Sequence, residues 1–257
     1  MRIEESYTIF SNLRIKMINM LQVMDNPYSI EDRIKHALDG SIKFADCFVI
    51  QKLLAKKKPL TCLEIGSFLG FSTRWLLECS RDWDMHVTAL DPNMRHRIFD
   101  NPRWMVEGLN ATHYPDRLEI QTGFFGAHGL GSSDYEVFEP QRSKEWVAKF
   151  LSSRQEFDTT WERTFDCIYI DADHSYESVM DGFNHAVNLL NPGGIIIFHD
   201  ALTWKGVNQA MHDIKIQFSD KANVEIIDGS NIFSHPLLLN EHSKVADGIG
   251  YFELLNS

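Results

Sequence analysis

Two periodicities divide the chain. Residues 1–58 place apolar side chains at helical spacing with no strand alternation. Ile9, Leu13, Ile15, Met17, Met20 and Leu21 make one face, and Ile34, Ala37, Ile42, Phe44, Phe48, Leu53 and Leu54 continue it. Ser29 followed by Asp32 reads as a helix N-cap. From Pro59 onward, short apolar runs alternate with longer helical ones. The runs LTCLEI, MHVTAL, DRLEIQT, FDCIYI, GIIIFH, NVEIID and IGYFELL predict strands. FSTRWLLECS, SYESVMDGFNHAVNLL and WKGVNQAMHDIKIQF predict helices. Nearly continuous apolar strands separated by helices imply a mostly parallel sheet covered on both faces. The expectation is a doubly wound α/β domain of seven strands over residues 59–257, with an N-terminal helical cap over residues 1–58. The rhythm breaks between Gly123 and Thr164, a connection far longer than the usual two to about six residues. Residues from about 124 to 163 therefore read as an insertion that walls or covers a site.

Composition narrows the class of protein. The 257 residues are 44% hydrophobic and 24% charged, and no apolar run approaches the roughly 18 residues of a membrane span. The opening MRIEESYTIF carries Glu4 and Glu5 where a secretory signal is basic, so a cytoplasmic location is expected. The four cysteines lack metal-motif spacing and read as buried thiols. A net charge of -11 argues against a nucleic-acid partner. The basic run Lys56–Lys58 reads as a solvated helix end. The apolar N-terminal helices make a homodimer conceivable.

The stretch TCLEIGSFLGFSTRWLL, residues 61–77, holds the first chemical signal. In a doubly wound sheet, ligands sit beyond the carboxyl ends of the strands where the strand order reverses. Gly66 and Gly70 let the backbone turn sharply there and let a ligand approach without a Cβ in the way. Ser72 and Thr73 can cap the helix starting near Phe71. A pyrophosphate site would follow Gly-x-Gly-x-x-Gly, and an acid inside it would repel the ligand. Here the pattern is Glu64-x-Gly66-x-x-x-Gly70, and a carboxylate before the first glycine suits a ligand with an ammonium group. Asp91, ending the second strand, can accept ribose hydroxyls.

These motifs, with ALDPN and FDCIYIDADHSYESVMDGFNHAVNLLNPGGIIIFHDA, resemble the strand motifs of class I S-adenosylmethionine (SAM)-dependent methyltransferases. The branch of catechol-type, caffeoyl-CoA-type and macrolide-sugar O-methyltransferases is the most similar, over about residues 59–203. The resemblance implies a Rossmann-like methyltransferase fold. It also implies that Gly66, Ser67 and Gly70 line the methionine part of SAM, that Asp91 holds the ribose, and that Gly123 and Phe124 lie near the adenine.

Methyl transfer from a sulfonium needs an aligned nucleophile and, for oxygen, removal of its proton. Asp171 ends the fourth predicted strand and Asp200 the fifth, so both acids can face one pocket. Hard oxygen ligands suit Mg²⁺, and the resembling family holds a metal at these two positions. That family has Asn or Asp directly after the second acid, where this chain has Ala201, so the third ligand is missing or comes from His199, Asp173 or water. His174 stands where the catechol-type enzymes carry a lysine base, and its ordinary pKa of about 6.5 suits the task. Fixing the turn is its alternative role. Trp204 can stack on a flat substrate. The resulting expectation is O-methylation of a small-molecule acceptor, with Asp171, Asp200 and His174 at the acceptor. A metal-independent N- or C-methyltransferase and a non-catalytic SAM-binding protein are the alternatives.

Overall fold

A computed structural model describes residues 2–93, 95–110, 113–123, 125, 163–238 and 245–255. Three helices come first: α1 (Ile3–Val23), α2 (Ile30–Asp39) and α3 (Phe44–Lys57). The alternating part follows as β1 (Thr61–Ile65), α4 (Phe71–Cys79), β2 (His86–Asp91), α5 (Arg103–Asn110) and β3 (Leu118–Thr122). Beyond the insertion come β4 (Phe165–Ile170), α6 (Tyr176–Asn188), β5 (Leu190–Phe198), α7 (Lys205–Gln217), β6 (Ala222–Ile227) and β7 (Ile249–Leu254). The insertion from 126 to 162, with Phe124, lies outside the described residues.

The seven strands form one sheet in the order β3-β2-β1-β4-β5-β7-β6. All pairings are parallel except those of β7, which runs antiparallel to both β5 and β6. The order reverses between β1 and β4, which makes the space beyond their carboxyl ends the topological switch point. Strand parity divides the core. Cys62, Cys167 and Tyr169 pack on one face with the N-terminal helices and α4, whereas Leu63, Ile65, Ile168 and Phe198 pack on the other with α6 and α7. All four cysteines are free and buried.

The N-terminal helices share the first of these cores. Phe10, Leu13, Met17 and Leu21 of α1 are buried there at i, i+3, i+7 and i+11 spacing, while Ile15, expected on that face, is 56% exposed. Phe10 meets Phe71 and Trp75 of α4 edge-on at 5.3 and 6.2 Å, and the Trp75 indole N–H donates to the Cys47 carbonyl at 2.7 Å. Lys57 closes the other end on Glu253 at 2.7 Å. Ser29 caps α2 by accepting the Asp32 N–H at 3.1 Å, as its sequence pattern predicts.

Two local expectations change. The N-cap of α4 is Gly70, in the left-handed region, and neither Ser72 nor Thr73 caps that helix. The fifth strand starts at Leu190, four residues ahead of the predicted run GIIIFH, and so takes in Pro192 and Gly193, where the pairing with β4 shifts register. No helix among the described residues is long and apolar enough to cross a membrane.

Candidate active site

A cavity of about 430 Å³ opens at the switch point. Its floor is made by the residues that follow β1, β2, β4 and β5, and its outer wall by Asp39–Lys43 ahead of α3 and by Arg95–Arg97. Helix positions and strand ends thus converge on one space from both halves of the sheet.

The β1/β2 half is a tight turn. Gly66 has φ 85°, and a Cβ there would lie 2.0 Å from the Asp171 carbonyl oxygen, so no other residue fits. Gly70 has φ 78° and faces the α5 backbone with a virtual Cβ 2.8 Å from Val106 Cα. Asp91 fastens the turn. Its Oδ2 accepts the Ser67 and Phe68 N–H groups at 3.0 and 3.1 Å, and its Oδ1 accepts the Asn93 N–H at 2.7 Å. Burial pushes the Asp91 carboxyl up despite these three bonds.

Glu64 does not reach the cavity. Parity sends its side chain to the same face as Cys62, under α4, where it is fully buried. The Ser72 and Thr73 hydroxyls donate to its two oxygens at 2.6 and 2.5 Å. Burial outweighs those hydroxyl bonds and raises its pKa to about 8. The expected contact between Glu64 and a ligand ammonium is therefore corrected: the acid ties the first helix to the first strand. Ser72 reaches the cavity wall but spends its proton on Glu64.

The β4/β5 half is built from charges. His174 Nε2 lies 2.9 Å from Asp200 Oδ2 and 3.7 Å from Asp171 Oδ1. His199 Nδ1 lies 3.4 Å from Asp171 Oδ2 and 3.3 Å from Asp200 Oδ2. Burial opposes charge on all four groups, yet their proximity dominates. It holds Asp171 and Asp200 far below the usual carboxylate range, raises His174 to about 9, and raises His199 as well. The backbone is shaped to the purpose. Asp200 itself sits at φ 62°, a conformation that Asp tolerates better than most residues, and Thr203 donates to its Oδ1 at 2.9 Å. Trp204 stacks on the His174 ring at 4.6 Å and 16°. Gly206 lets α7 approach the His174 turn, since a Cβ would lie 2.2 Å from the His174 carbonyl oxygen. Beside them, Asp173 accepts the Ser175 N–H on Oδ1 at 2.8 Å, while its buried Oδ2 has no hydrogen-bond partner.

A second buried group backs this one. Asp46, inside the apolar stretch of α3, accepts the Asp247 and Gly248 N–H groups at 2.9 Å each. His199 Nε2 points toward Asp46 and Asp247 at 3.8 and 4.0 Å, and Lys43 pairs with Asp247. The helical N-terminal segment is thereby wired to the strand ends that carry Asp171 and Asp200.

Comparison with known proteins places this architecture. The profile of a family described as a methyltransferase domain matches residues 63–201, more than half of the chain. The chain belongs to that family. Solved structures similar to this methyltransferase include an O-methyltransferase from Bacillus cereus in complex with S-adenosylhomocysteine (SAH), with a TM-score of 0.56, 15% identity, and 95% and 91% of the two chains covered. Another is the O-methyltransferase TomG from Streptomyces achromogenes, involved in tomaymycin synthesis and solved with SAM, at 0.54, 17%, 85% and 83%. SAH-bound PaMTH1 from Podospora anserina aligns at 0.55, 16%, 95% and 88%. At such identities the shared property is the fold. No curated protein matches the sequence.

Within the methyltransferase, the structure gathers Gly66, Ser67, Ser72, Asp91, Gly123, Asp171, His174 and Asp200 around one cavity, with Gly70 behind it and Glu64 outside it. Phe124 lies outside the described residues. Asp46, Lys43 and Asp247 escaped the sequence reading. The detectable signal was an acid, Asp46, in the middle of the apolar run FADCFVI. One oxygen of Asp171, one of Asp200 and the ring nitrogen of His174 lie within 4.8 Å of one another at the cavity wall, a donor set that fits a divalent cation.

Proposed function

We propose that this methyltransferase transfers the methyl group of SAM to a hydroxyl of a small molecule inside the cell. The observation that carries the reading is the convergence, on one cavity at the switch point, of the Gly66–Asp91 turn and of an acid cluster from the β4 and β5 ends. Support also comes from structural relatives that are O-methyltransferases with SAM or SAH bound.

SAM, when bound, supplies a methyl group on a positively charged sulfonium. The chain's own residues would do the rest. Gly66 and Ser67 leave space for the aminoacyl arm, and Asp91, with three of about four accepting positions filled, retains one for a ribose hydroxyl. Gly123, which lines the cavity, would face the adenine end, as the resemblance implies. Asp171 and Asp200 would hold a dication such as Mg²⁺, which would supply acidification of an acceptor hydroxyl.

The base assignment moves by one residue. Without a metal, Asp171 and Asp200 raise His174 to about 9, so the ring is protonated at neutral pH, and a dication at the same carboxylates would occupy its lone pair instead; in neither state does His174 take an incoming proton. Asp173 Oδ2, buried at the cavity and unpartnered, is the group that takes the hydroxyl proton. Trp204, stacked on His174, offers its remaining edge and face to the acceptor.

The test is incubation with isotopically labelled methyl donor, a divalent cation, and panels of phenols, catechols and glycosides. Mass spectrometry would then locate the transferred label. O-methylated product together with SAH is expected. Label found only on nitrogen or carbon, or no turnover by a protein that binds SAH, would overturn the hydroxyl reading.

A further inference from the structure

Ala201 removes an oxygen donor from the place where the resembling family has one, and His174 brings nitrogen to the same cluster. The geometry there is not that of a plain ion pair. His174 Nε2 is only 2.9 Å from Asp200 Oδ2, yet the ring N–H is not directed along that line. The atom is buried without a hydrogen-bond partner. An imidazolium held only by carboxylates would turn its N–H onto one of them, because a misaligned buried donor forfeits most of the bond. A nitrogen lone pair and two carboxylate oxygens facing a common point is what a cation requires.

His199 supplies an independent observation. Its side chain is 6% exposed, and Nδ1 is aimed between the same two carboxylates at 3.3 and 3.4 Å. That is where a ring N–H orients ligating carboxylates from behind. In the neighbouring Asp46–His199–Asp247 group, His199 Nε2 also lacks a hydrogen-bond partner, but both carboxylates are already engaged, Asp247 by Lys43 and Asp46 by two amide N–H groups, so the cation demand falls on the cavity side.

We infer that Asp171, His174 and Asp200 form a mixed nitrogen and oxygen metal site selective for Co²⁺-, Ni²⁺- or Zn²⁺-class ions over Mg²⁺. Imidazole nitrogen suits these ions, whereas Mg²⁺ favours an all-oxygen shell. The inference rests on the proposed function for its location at the acceptor, and on the donor set for its selectivity.

The test is titration of metal-free full-length protein with Co²⁺, followed by visible ligand-field absorption and by calorimetry. One Co²⁺ per chain is expected, with a spectrum that a hundredfold excess of Mg²⁺ does not abolish. In His174→Gln, Co²⁺ affinity should fall about 100-fold and the spectrum should change, as for loss of one ligand. X-ray absorption of Co²⁺ on the unsubstituted protein reads nitrogen ligation directly, so the outcome does not hang on the variant folding. No stoichiometric binding, an oxygen-only shell, an unchanged spectrum in a folded His174→Gln protein, or displacement by equimolar Mg²⁺ would each overturn the inference. SAH calorimetry on the same samples separates the two readings. SAH bound without Co²⁺ defeats the metal site alone, and Co²⁺ bound without SAH defeats the methyltransferase reading alone.

Discussion

The two halves of the switch point solve the same problem, buried acids at strand ends, in opposite ways. On the β1/β2 side, Glu64 and Asp91 are held by neutral donors, two hydroxyls and three amides, and both carboxyls are pushed up. On the β4/β5 side, Asp171 and Asp200 are held by imidazole rings and are pulled far down. The first half keeps Glu64 off the cavity and spends most of the accepting capacity of Asp91, which lines it, on shaping a turn. The second exposes charge to the cavity, where an acceptor and a cation can use it. Residue type alone therefore does not assign a role: an acid does structural or chemical work according to what donates to it.

That contrast can be broken by substitution, and the largest effect is expected at Asp173. Asp173→Asn removes the proposed proton acceptor and should lower kcat by about 10²- to 10⁴-fold. SAH affinity, set by the other half, should stay within about threefold. Steady-state kinetics paired with calorimetry checks both numbers, and a parallel loss of SAH binding would mean the halves are not separable. The reciprocal change is Gly66→Ala. Its methyl would collide with the Asp171 carbonyl, so SAH affinity should fall about 100-fold or more and thermal stability should drop.

A subtler pair of experiments concerns pH in metal-free protein. Glu64 is harder to ionise when folded, its pKa rising from 4.5 to about 8. The unfolded chain thus loses that proton first, and stability falls as pH climbs from about 4.5 to about 8. Glu64→Gln should flatten that window, by on the order of a few kcal/mol, in denaturant titrations. His174 works in a higher window. Its stabilisation is complete below pH 6.5 and is lost as pH rises through about 9, so His174→Gln should alter only the slope above neutrality. If both substitutions flattened the same window, the two clusters would be one electrostatic unit. The smallest effect belongs to Cys79→Ser. Cys79 is a free, buried thiol whose pKa burial raises well above its usual value, so turnover should be unchanged and only about 1–2 kcal/mol of stability lost.

How far the sequence reveals this arrangement differs between the same two halves. Strand and helix order is legible because apolar runs of period 2 and 3.6 are dictated by burial on two faces, and all seven strands fall where those runs lie. Gly66, Asp91, Asp171 and Asp200 are legible because strand ends in such a sheet point to one crevice. The role of Glu64 was misread because a motif gives spacing but not parity, and parity put the carboxylate beneath α4. The proton state of His174 was illegible for another reason: it depends on Asp171 together with Asp200, and the second of these, 26 positions away, is brought within 2.9 Å only by the β4/β5 pairing. Asp46 and Asp247 are farther apart still, and their meeting needs the packing of α3 against the end of the chain.

The most direct test of the central claim is titration calorimetry of the protein with SAH. Binding of one SAH per chain, with a dissociation constant between about 1 μM and 1 mM that changes by no more than about threefold in the Asp173→Asn variant, is the expected result. No heat of binding at millimolar SAH, in protein shown to be folded, would contradict it.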